Sequence, residues 1–275
     1  MNHIDRIDHI GSRNGGDGRD RRAVIITRPA AQADDFARRL QAMGRDCVLY
    51  PLLEIQPLPD ESHLIAEIAH LQEYALLAFV SPNAIDAFFR HVSQYPKEIP
   101  IAVMGEGSRQ RLAEYGLNDQ TATIIRPRNQ LKTDSETLLD ELDCAALQDK
   151  KVLIVRGESG RELLADALRA RGIEVRQLAA YRRVAPQLDA GRAQQLRLLL
   201  EQENQWVVTS SEALRNLLHD VDALGLPDGV AKMQRQALLV PHSRIEETAK
   251  SLGFQFITLT ASGDEQLLVA LQSRL

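Results

Sequence analysis

Val152-Leu153-Ile154-Val155-Arg156 restates Val24-Ile25-Ile26-Thr27-Arg28 at an offset of 128 (156 − 28), and each is followed by an amphipathic stretch that stops at a glycine, Gly44 or Gly172, at that same offset. Phe79-Val80-Ser81-Pro82-Asn83-Ala84 is answered by Val208-Thr209-Ser210-Ser211-Glu212-Ala213 at an offset of 129 (210 − 81), and Ser135-Glu136 by Asp264-Glu265 at the same 129. From Val24 onward, short β-rich runs alternate with helical patterns. That alternation predicts βα units and mainly parallel sheets, so the chain reads as an α/β protein built from two related units. A ligand cleft between the units is the expectation, because strand-end loops and helix N-termini from both converge there.

The helical patterns are specific about their buried faces. Ala33, Phe36, Ala37, Leu40 and Met43 form one apolar stripe, and Leu163, Leu164, Ala167 and Leu168 form its counterpart. Ile85, Phe88, Phe89 and Val92 make a stripe after Ser81, with Pro82 suited to the first helical position behind a serine cap. Ala213, Leu214, Leu217 and Leu218 repeat it after Ser211. Two segments break the rhythm: Tyr50-Pro51 through Pro59, and Tyr181-Arg182-Arg183-Val184-Ala185-Pro186. Both follow a strand, begin with tyrosine and carry proline, which opposes a helix or a central strand. They are predicted to be crossings between domains.

Composition narrows the function class. A chain of 275 residues is long enough for two ordinary domains, each with its own core. No apolar run approaches the roughly 20 residues of a membrane span, so no membrane role is expected. Cys47 and Cys144 show neither zinc-site nor disulfide spacing, which fits a reducing cytoplasm. A net charge of −5 and 4% aromatic residues provide neither the basic field nor the stacking platforms of a nucleic-acid binder. Residues 1–22 are glycine-rich and polar, without the apolar core of a signal peptide, and read as a disordered extension in which His3 and His9 are bystanders.

Familiar catalytic signatures are missing. Gly157-Glu158-Ser159-Gly160-Arg161 would need glycine at Arg161 to be a nucleophile elbow, and it lacks the Gly-Lys ending of a phosphate loop. The histidines at 63, 70, 91, 219 and 242 show no metal-ligand spacing. What recurs is a strand that ends in a polar residue or glycine before a helix: Arg28-Pro29, Ser81-Pro82-Asn83, Gly105-Glu106-Gly107-Ser108, Arg156-Gly157, Ser210-Ser211 and Ser243-Arg244. Such junctions present free N–H groups and a positive helix end to carboxylates or phosphates. Singly, each is an N-cap or a turn worth ~1 kcal/mol. At matching places in a duplicated fold they point to a polyanion cleft, where Arg28 and Arg156 would add charge-assisted hydrogen bonds. A surface ion pair explains the two arginines equally well.

On these segments, together with Val103-Met104, Ala180-Tyr181-Arg182 and Ile245, the chain resembles the uroporphyrinogen-III synthase family over about 23–275. The resemblance implies two flavodoxin-like domains joined by a two-stranded linker, with the substrate cleft between them. Residues 23–50 and 187–275 would form the discontinuous domain 1, residues 58–178 domain 2, and 51–57 and 179–186 the linker strands. It implies a monomeric cytoplasmic enzyme of haem biosynthesis. Its substrate, hydroxymethylbilane, carries eight carboxylates, and transient contact with the enzyme that supplies it is expected. The hydroxyl of the terminal hydroxymethyl group leaves, the resulting azafulvene attacks ring D at its substituted carbon, and a spiro rearrangement inverts that ring. No metal or organic cofactor is implied.

Tyr181 matches the family's interdomain tyrosine and is the expected general acid, since a phenol is protonated at neutral pH and donates. Packing of one domain on the other is its alternative role. Ser108 falls where the family has a hydroxyl near the substrate. Ser81, Asn83, Ser210, Ser211 and Ser243 would bind side-chain carboxylates, with Pro82, Gly105, Gly157 and Arg244 completing the lining. Pro241-His242 departs from the small-residue loop often found there, and His242 reads either as an acid or as a solvated side chain. A second reading of the same architecture is a noncatalytic binder or regulator of a small anionic metabolite, because fold does not fix function.

Overall fold

The computed structural model describes residues 22–128, 135–160 and 162–272. The expected disordered extension lies outside the described residues apart from Arg22, and so does Arg161. The strands are β1 (Val24–Ile26), β2 (Cys47–Leu49), β3 (Glu54–Gln56), β4 (Tyr74–Phe79), β5 (Ile101–Val103), β6 (Ile124–Ile125), β7 (Lys151–Gly157), β8 (Glu174–Val184), β9 (Gln205–Val207), β10 (Ala237–Val240) and β11 (Phe256–Leu259). The helices are α1 (Asp34–Ala42), α2 (Ser62–Ile68), α3 (Pro82–Phe89), α4 (Glu106–Glu114), α5 (Ser135–Leu139), α6 (Leu163–Arg169), α7 (Ala190–Leu200), α8 (Ser211–Ala223), α9 (Gly229–Gln234), α10 (Ser243–Ser251) and α11 (Asp264–Gln272). Among the described residues no helix is long and apolar enough to cross a membrane.

The strands form two sheets. One has five parallel strands in the order β11-β10-β9-β1-β2, and the other has six in the order β3-β8-β7-β4-β5-β6, parallel except for the β3–β8 pair. In repeat terms β1 and β2 correspond to β7 and β8, and β9, β10 and β11 to β4, β5 and β6. The orders β2-β1-β9-β10-β11 and β8-β7-β4-β5-β6 are therefore the same sheet built twice, each from two strands of one repeat and three of the other. The first follows the 2-1-3-4-5 flavodoxin-like order, and the second is its circular permutation.

Helices cover both faces of each sheet, which is why the central strands are continuous apolar runs rather than alternating ones. In the five-stranded sheet Val24, Ile26, Val207 and Leu239 pack on Phe36 and Leu40 of α1 and Leu267, Leu268 and Leu271 of α11. Ile25, Trp206 and Leu238 pack on Leu196, Leu214, Leu217 and Ile245 from the opposite side. In the six-stranded sheet Phe79, Val103 and Val155 meet Ile85, Phe88 and Leu112, while Leu76, Val152 and Ile154 meet Leu138, Leu164 and Leu168. The predicted stripes supply these contacts: Phe36, Leu40, Ile85, Phe88, Ala213, Leu214 and Leu217 are buried.

The crossings are one outgoing strand and one long return. β8 runs parallel to β7 for most of its length, then pairs antiparallel with β3 through Glu54↔Val184, Ile55↔Arg183 and Gln56↔Arg182. Where the outgoing chain leaves the five-stranded sheet, Arg192 Nη2 donates to the Pro51 carbonyl at 2.9 Å and Asn216 Nδ2 to the Leu52 carbonyl at 3.0 Å. Tyr50 is fully buried there, edge-on to Trp206 at 6.2 Å, with the Arg192 guanidinium 4.3 Å above its ring. Its hydroxyl has no hydrogen-bond partner among the described residues.

Burial pushes the Tyr50 phenol up to about 12 from 10, despite the nearby Arg192 cation. A phenol raised in the folded state contributes stability that is complete below pH 10 and lost between pH 10 and about 12, because the unfolded chain ionises first. Tyr50→Phe removes this alkaline loss and deletes an unpaired buried hydroxyl. Urea unfolding at pH 7 is expected to show equal or higher stability, by up to ~1 kcal/mol, and the gap from the native chain to widen above pH 10.

Candidate active site

The carboxyl ends of the parallel strands carry most of the sequence-predicted site residues, where ligands bind in open α/β sheets. Along that edge of the six-stranded sheet stand Tyr181 on β8, Gly157 on β7, Ser81 after β4 and Gly105 after β5. Three of these touch. The Tyr181 hydroxyl lies 3.1 Å from Ser81 Oγ. The tyrosine ring crosses over Gly157, and a Cβ built there would stand 3.0 Å from Cζ and 3.2 Å from the hydroxyl oxygen.

Register explains this placement. Arg156 opposes Ala179 and Gly157 opposes Tyr181, so Ala180 is an extra residue on β8. A bulge of this kind re-aims the side chains beyond it. Tyr181 is turned onto the face of Phe79 and Phe88, buried to 6% exposure, with its carbonyl accepting from Glu158 N at 2.8 Å. It packs within the six-stranded sheet's own core.

Ser81 caps α3, accepting from Ala84 N at 3.2 Å, and Pro82 occupies the first turn as predicted. Its hydroxyl therefore belongs both to the helix N-terminus and to Tyr181. Asn83 Oδ1 accepts from Gln32 Nε2 of the five-stranded side at 2.7 Å, which brings the two sheets' strand-end loops together. Gln32 sits in a 3-10 turn, Ala30–Gln32, that nothing in the sequence reading marked. A second link joins Arg183 Nε to Glu212 Oε2 at 3.3 Å, while Arg183 Nη2 also donates to Ser159 Oγ at 3.2 Å.

On the five-stranded sheet Ser210 caps α8, accepting from Glu212 N and Ala213 N at 3.2 and 3.4 Å. Ser211 Oγ accepts from Thr248 Oγ1 at 3.0 Å, tying the first turn of α8 to α10. Ser243 and Arg244 open α10 behind His242, whose Nδ1 lies 3.3 Å from Ser262 Oγ. Ser108 is buried in the first turn of α4, behind Gly105 at the N-cap.

The arginines are differently placed. Arg28 forms a two-pronged pair with Asp264, at 2.9 and 3.0 Å, and lies 4.8 Å over the Phe36 ring, on the α1 and α11 face. Arg156 is 8% exposed, hydrogen-bonded to Gln177, and 3.9 Å from Glu162. Arg156-Gly157 is also not a helix start, contrary to the sequence expectation, because β7 continues through Gly157 and α6 begins only at Leu163. Both guanidinium groups thus have protein partners, the ion-pair reading of the sequence.

Comparison with known proteins agrees with this architecture. The family model described as uroporphyrinogen-III synthase HemD matches residues 34–265. The chain is 29% identical over 253 residues to the uroporphyrinogen-III synthase of Escherichia coli K12, covering 91% of this chain and all, 100%, of that protein. It is 30% identical over 256 residues to the Salmonella typhimurium LT2 enzyme, covering 91% and 100%. Among solved structures, uroporphyrinogen-III synthetase of Helicobacter pylori 26695 superposes with a TM-score of 0.59 at 15% identity, covering 92% of this chain and 99% of that one. A mutant synthase of Thermus thermophilus gives 0.55 at 15% identity, covering 92% and 98%. At that identity the structural likeness speaks for the fold.

Gly157→Ala tests the close approach. The new methyl must displace the Tyr181 ring, because Gly157 is held in register opposite Tyr181 and the ring lies 3.0 Å from where the Cβ would stand. The expected cost is about 1–3 kcal/mol, read as a lower midpoint in urea. A crystal structure of the variant should show the Tyr181 hydroxyl out of hydrogen-bond range of Ser81.

Proposed function

The chain belongs to the uroporphyrinogen-III synthase family, cyclising lyases of tetrapyrrole biosynthesis, and we propose that it closes hydroxymethylbilane to uroporphyrinogen III between its two sheets. The observation that carries this reading of the site is the Tyr181–Ser81 hydroxyl pair at the N-terminus of α3, within the loops that Gln32 and Asn83 join. Tyr181 donates a proton to the departing hydroxyl, which leaves as water. Ser81, held by Ala84 N, fixes the phenol's position. The azafulvene cation then bonds to the substituted carbon of ring D, and ring inversion with proton loss completes the macrocycle.

Because free bilane also closes unaided to the uninverted isomer, orientation is the larger part of the task. The helix N-termini at Ser81-Pro82-Asn83, Gly105 through Ser108, Ser210-Ser211 and Ser243-Arg244 supply N–H groups and partial positive charge for the substrate carboxylates. Such a cleft accommodates a polyanion in a protein whose net charge is −5. Arg28 and Arg156 reach substrate only by exchanging Asp264 or Gln177 for a substrate carboxylate.

Residues 23–50 with 187–275, and residues 58–178, are taken as the two domains, with 51–57 and 179–186 as the linker. The protein is read as a cytoplasmic monomer that receives its substrate by transient contact with the enzyme that makes it. Family membership favours the enzyme over a noncatalytic anion binder.

Purified protein is expected to convert fresh hydroxymethylbilane mainly to the type III isomer without added metal or cofactor, as separated by chromatography after oxidation. Type I alone, at the buffer rate, overturns the reading. Tyr181→Phe is expected to lower kcat by about 10²-fold or more, with a much smaller change in KM. Unchanged turnover removes the acid role and leaves positioning as the whole mechanism.

A further inference from the structure

Beyond Gly105 four charged side chains meet, none of them among the predicted site residues: Glu106 and Arg109 of α4, Arg126 directly after β6, and Asp119 from the loop that leads into β6. Glu106, the first residue of α4, is claimed by Arg109 one turn on, whose Nε lies 3.0 and 2.9 Å from its two oxygens. The Arg109 hydrogen bonds hold the Glu106 carboxyl below the usual carboxylate range, so it is ionised and already spent. Arg126, directly after β6, comes second to that pair. Its Nη1 lies 3.5 Å from Glu106 Oε2 and its Nη2 3.8 Å from Asp119 Oδ2, and Nη1 has no hydrogen bond among the described residues.

A guanidinium presents five donors in a planar fork that matches a carboxylate. Arg126 has two carboxylates nearby, and neither engages that fork at hydrogen-bond distance. Asp119 is 56% exposed and a screened partner, while the Arg126 side chain is 37% exposed through atoms other than Nη1, which is itself buried. Arg126 also stands on the productive edge, since β6 runs parallel to β5 through Ile101↔Ile124 and Ala102↔Ile125. Two strand spacings separate β6 from β4, whose end carries Ser81, which is roughly 10 Å.

We propose that Arg126 is a second anchor for the acidic substrate, binding a side-chain carboxylate of a pyrrole remote from the carbon that Tyr181 serves. The inference rests on the bilane reading above and deepens it. Only one end of a linear tetrapyrrole carries the leaving hydroxyl, whereas every ring carries carboxylates. A cation about two strands away fixes the far part of the chain while the reacting part lies at Tyr181. Asp119 is the resident competitor that the substrate displaces.

The test is steady-state kinetics on the native chain, Arg126→Gln, Arg126→Lys and Asp119→Asn. Substrates are hydroxymethylbilane and a set of bilanes in which one side-chain carboxylate at a time is replaced by methyl. Losing a charge-assisted pair is expected to raise KM roughly 10- to 100-fold in Arg126→Gln, with a smaller change in kcat and partial recovery in Arg126→Lys. Asp119→Asn is expected to lower KM. For one bilane of the set the Arg126→Gln penalty should vanish, which a folding defect would not produce.

A wild-type KM in Arg126→Gln, or an equal penalty on every bilane, overturns the anchor. If Arg126→Gln does not fold, Asp119→Asn decides: a lower KM supports the anchor and an unchanged one overturns it. Type III product from the native chain alongside either negative result sinks the anchor alone, whereas type I alone from the native chain sinks the reading on which it rests.

Discussion

Parallel pairing of β1 with β9 and of β4 with β7 joins strands from different copies of the repeat, and the rest of the molecule depends on it. A chain that folded each repeat on itself would need only one connection between two compact units. Here the first two strands of each copy are completed by the last three of the other, so the chain must cross out after β2 and back along β8. The β3–β8 pair is the consequence, since two crossings side by side satisfy one another's backbone groups. The exchanged pairs are also the positions where strand order reverses, which in open parallel sheets is where a crevice forms. Arg28 and Ser210 follow one such pair, and Ser81 and Gly157 end the other.

Much of this was legible because duplication repeats its own signals. Two matching βα openings at a fixed offset, serine caps at Ser81 and Ser210, and proline-bearing interruptions after Tyr50 and before Pro186 marked the class, the caps and the crossings. Each is a local effect: the period of an apolar stripe, a hydroxyl that accepts from an N–H three residues on, a ring that cannot join a ladder. The exchange itself was not visible from composition or period. Both pairings, within a repeat or across repeats, bury the same faces, and only the family resemblance implied the discontinuous arrangement.

The site was harder to read, for a physical reason. The Tyr181–Ser81 approach depends on one extra residue, Ala180, in β8, and a shift of register by one residue has no mark in residue type. The Arg28–Asp264 pair joins residues 236 apart, and Arg28 alone reads as a free cation at a strand end. Arg126 has no such mark in the sequence, because its character lies in its distances to its neighbours. Whether a guanidinium has its fork filled depends on how Glu106, Arg109 and Asp119 share their oxygens, a question of distances rather than residue types. The Gln32–Asn83 bond across the loops has no local signature either.

The two copies keep the same frame but only one of them builds the tyrosine site. Tyr50, directly after β2, is not the counterpart of Tyr181: at the repeat offset of 128 it answers Leu178 (178 − 50), and Tyr181 answers Leu53 (181 − 53). Tyr50 lies under Arg192 against Trp206 with its hydroxyl sealed, while Tyr181 reaches its serine. The difference follows from where each tyrosine stands along its strand. Tyr181 lies across Gly157, where even a Cβ would come within 3.0 Å of the ring. Tyr50 lies earlier along its own strand, with no register shift beside it, and packs inward as an apolar residue does. Duplication therefore supplied one frame twice, while the register shift at Ala180 and the glycine at position 157 set Tyr181 against Ser81 in one copy alone.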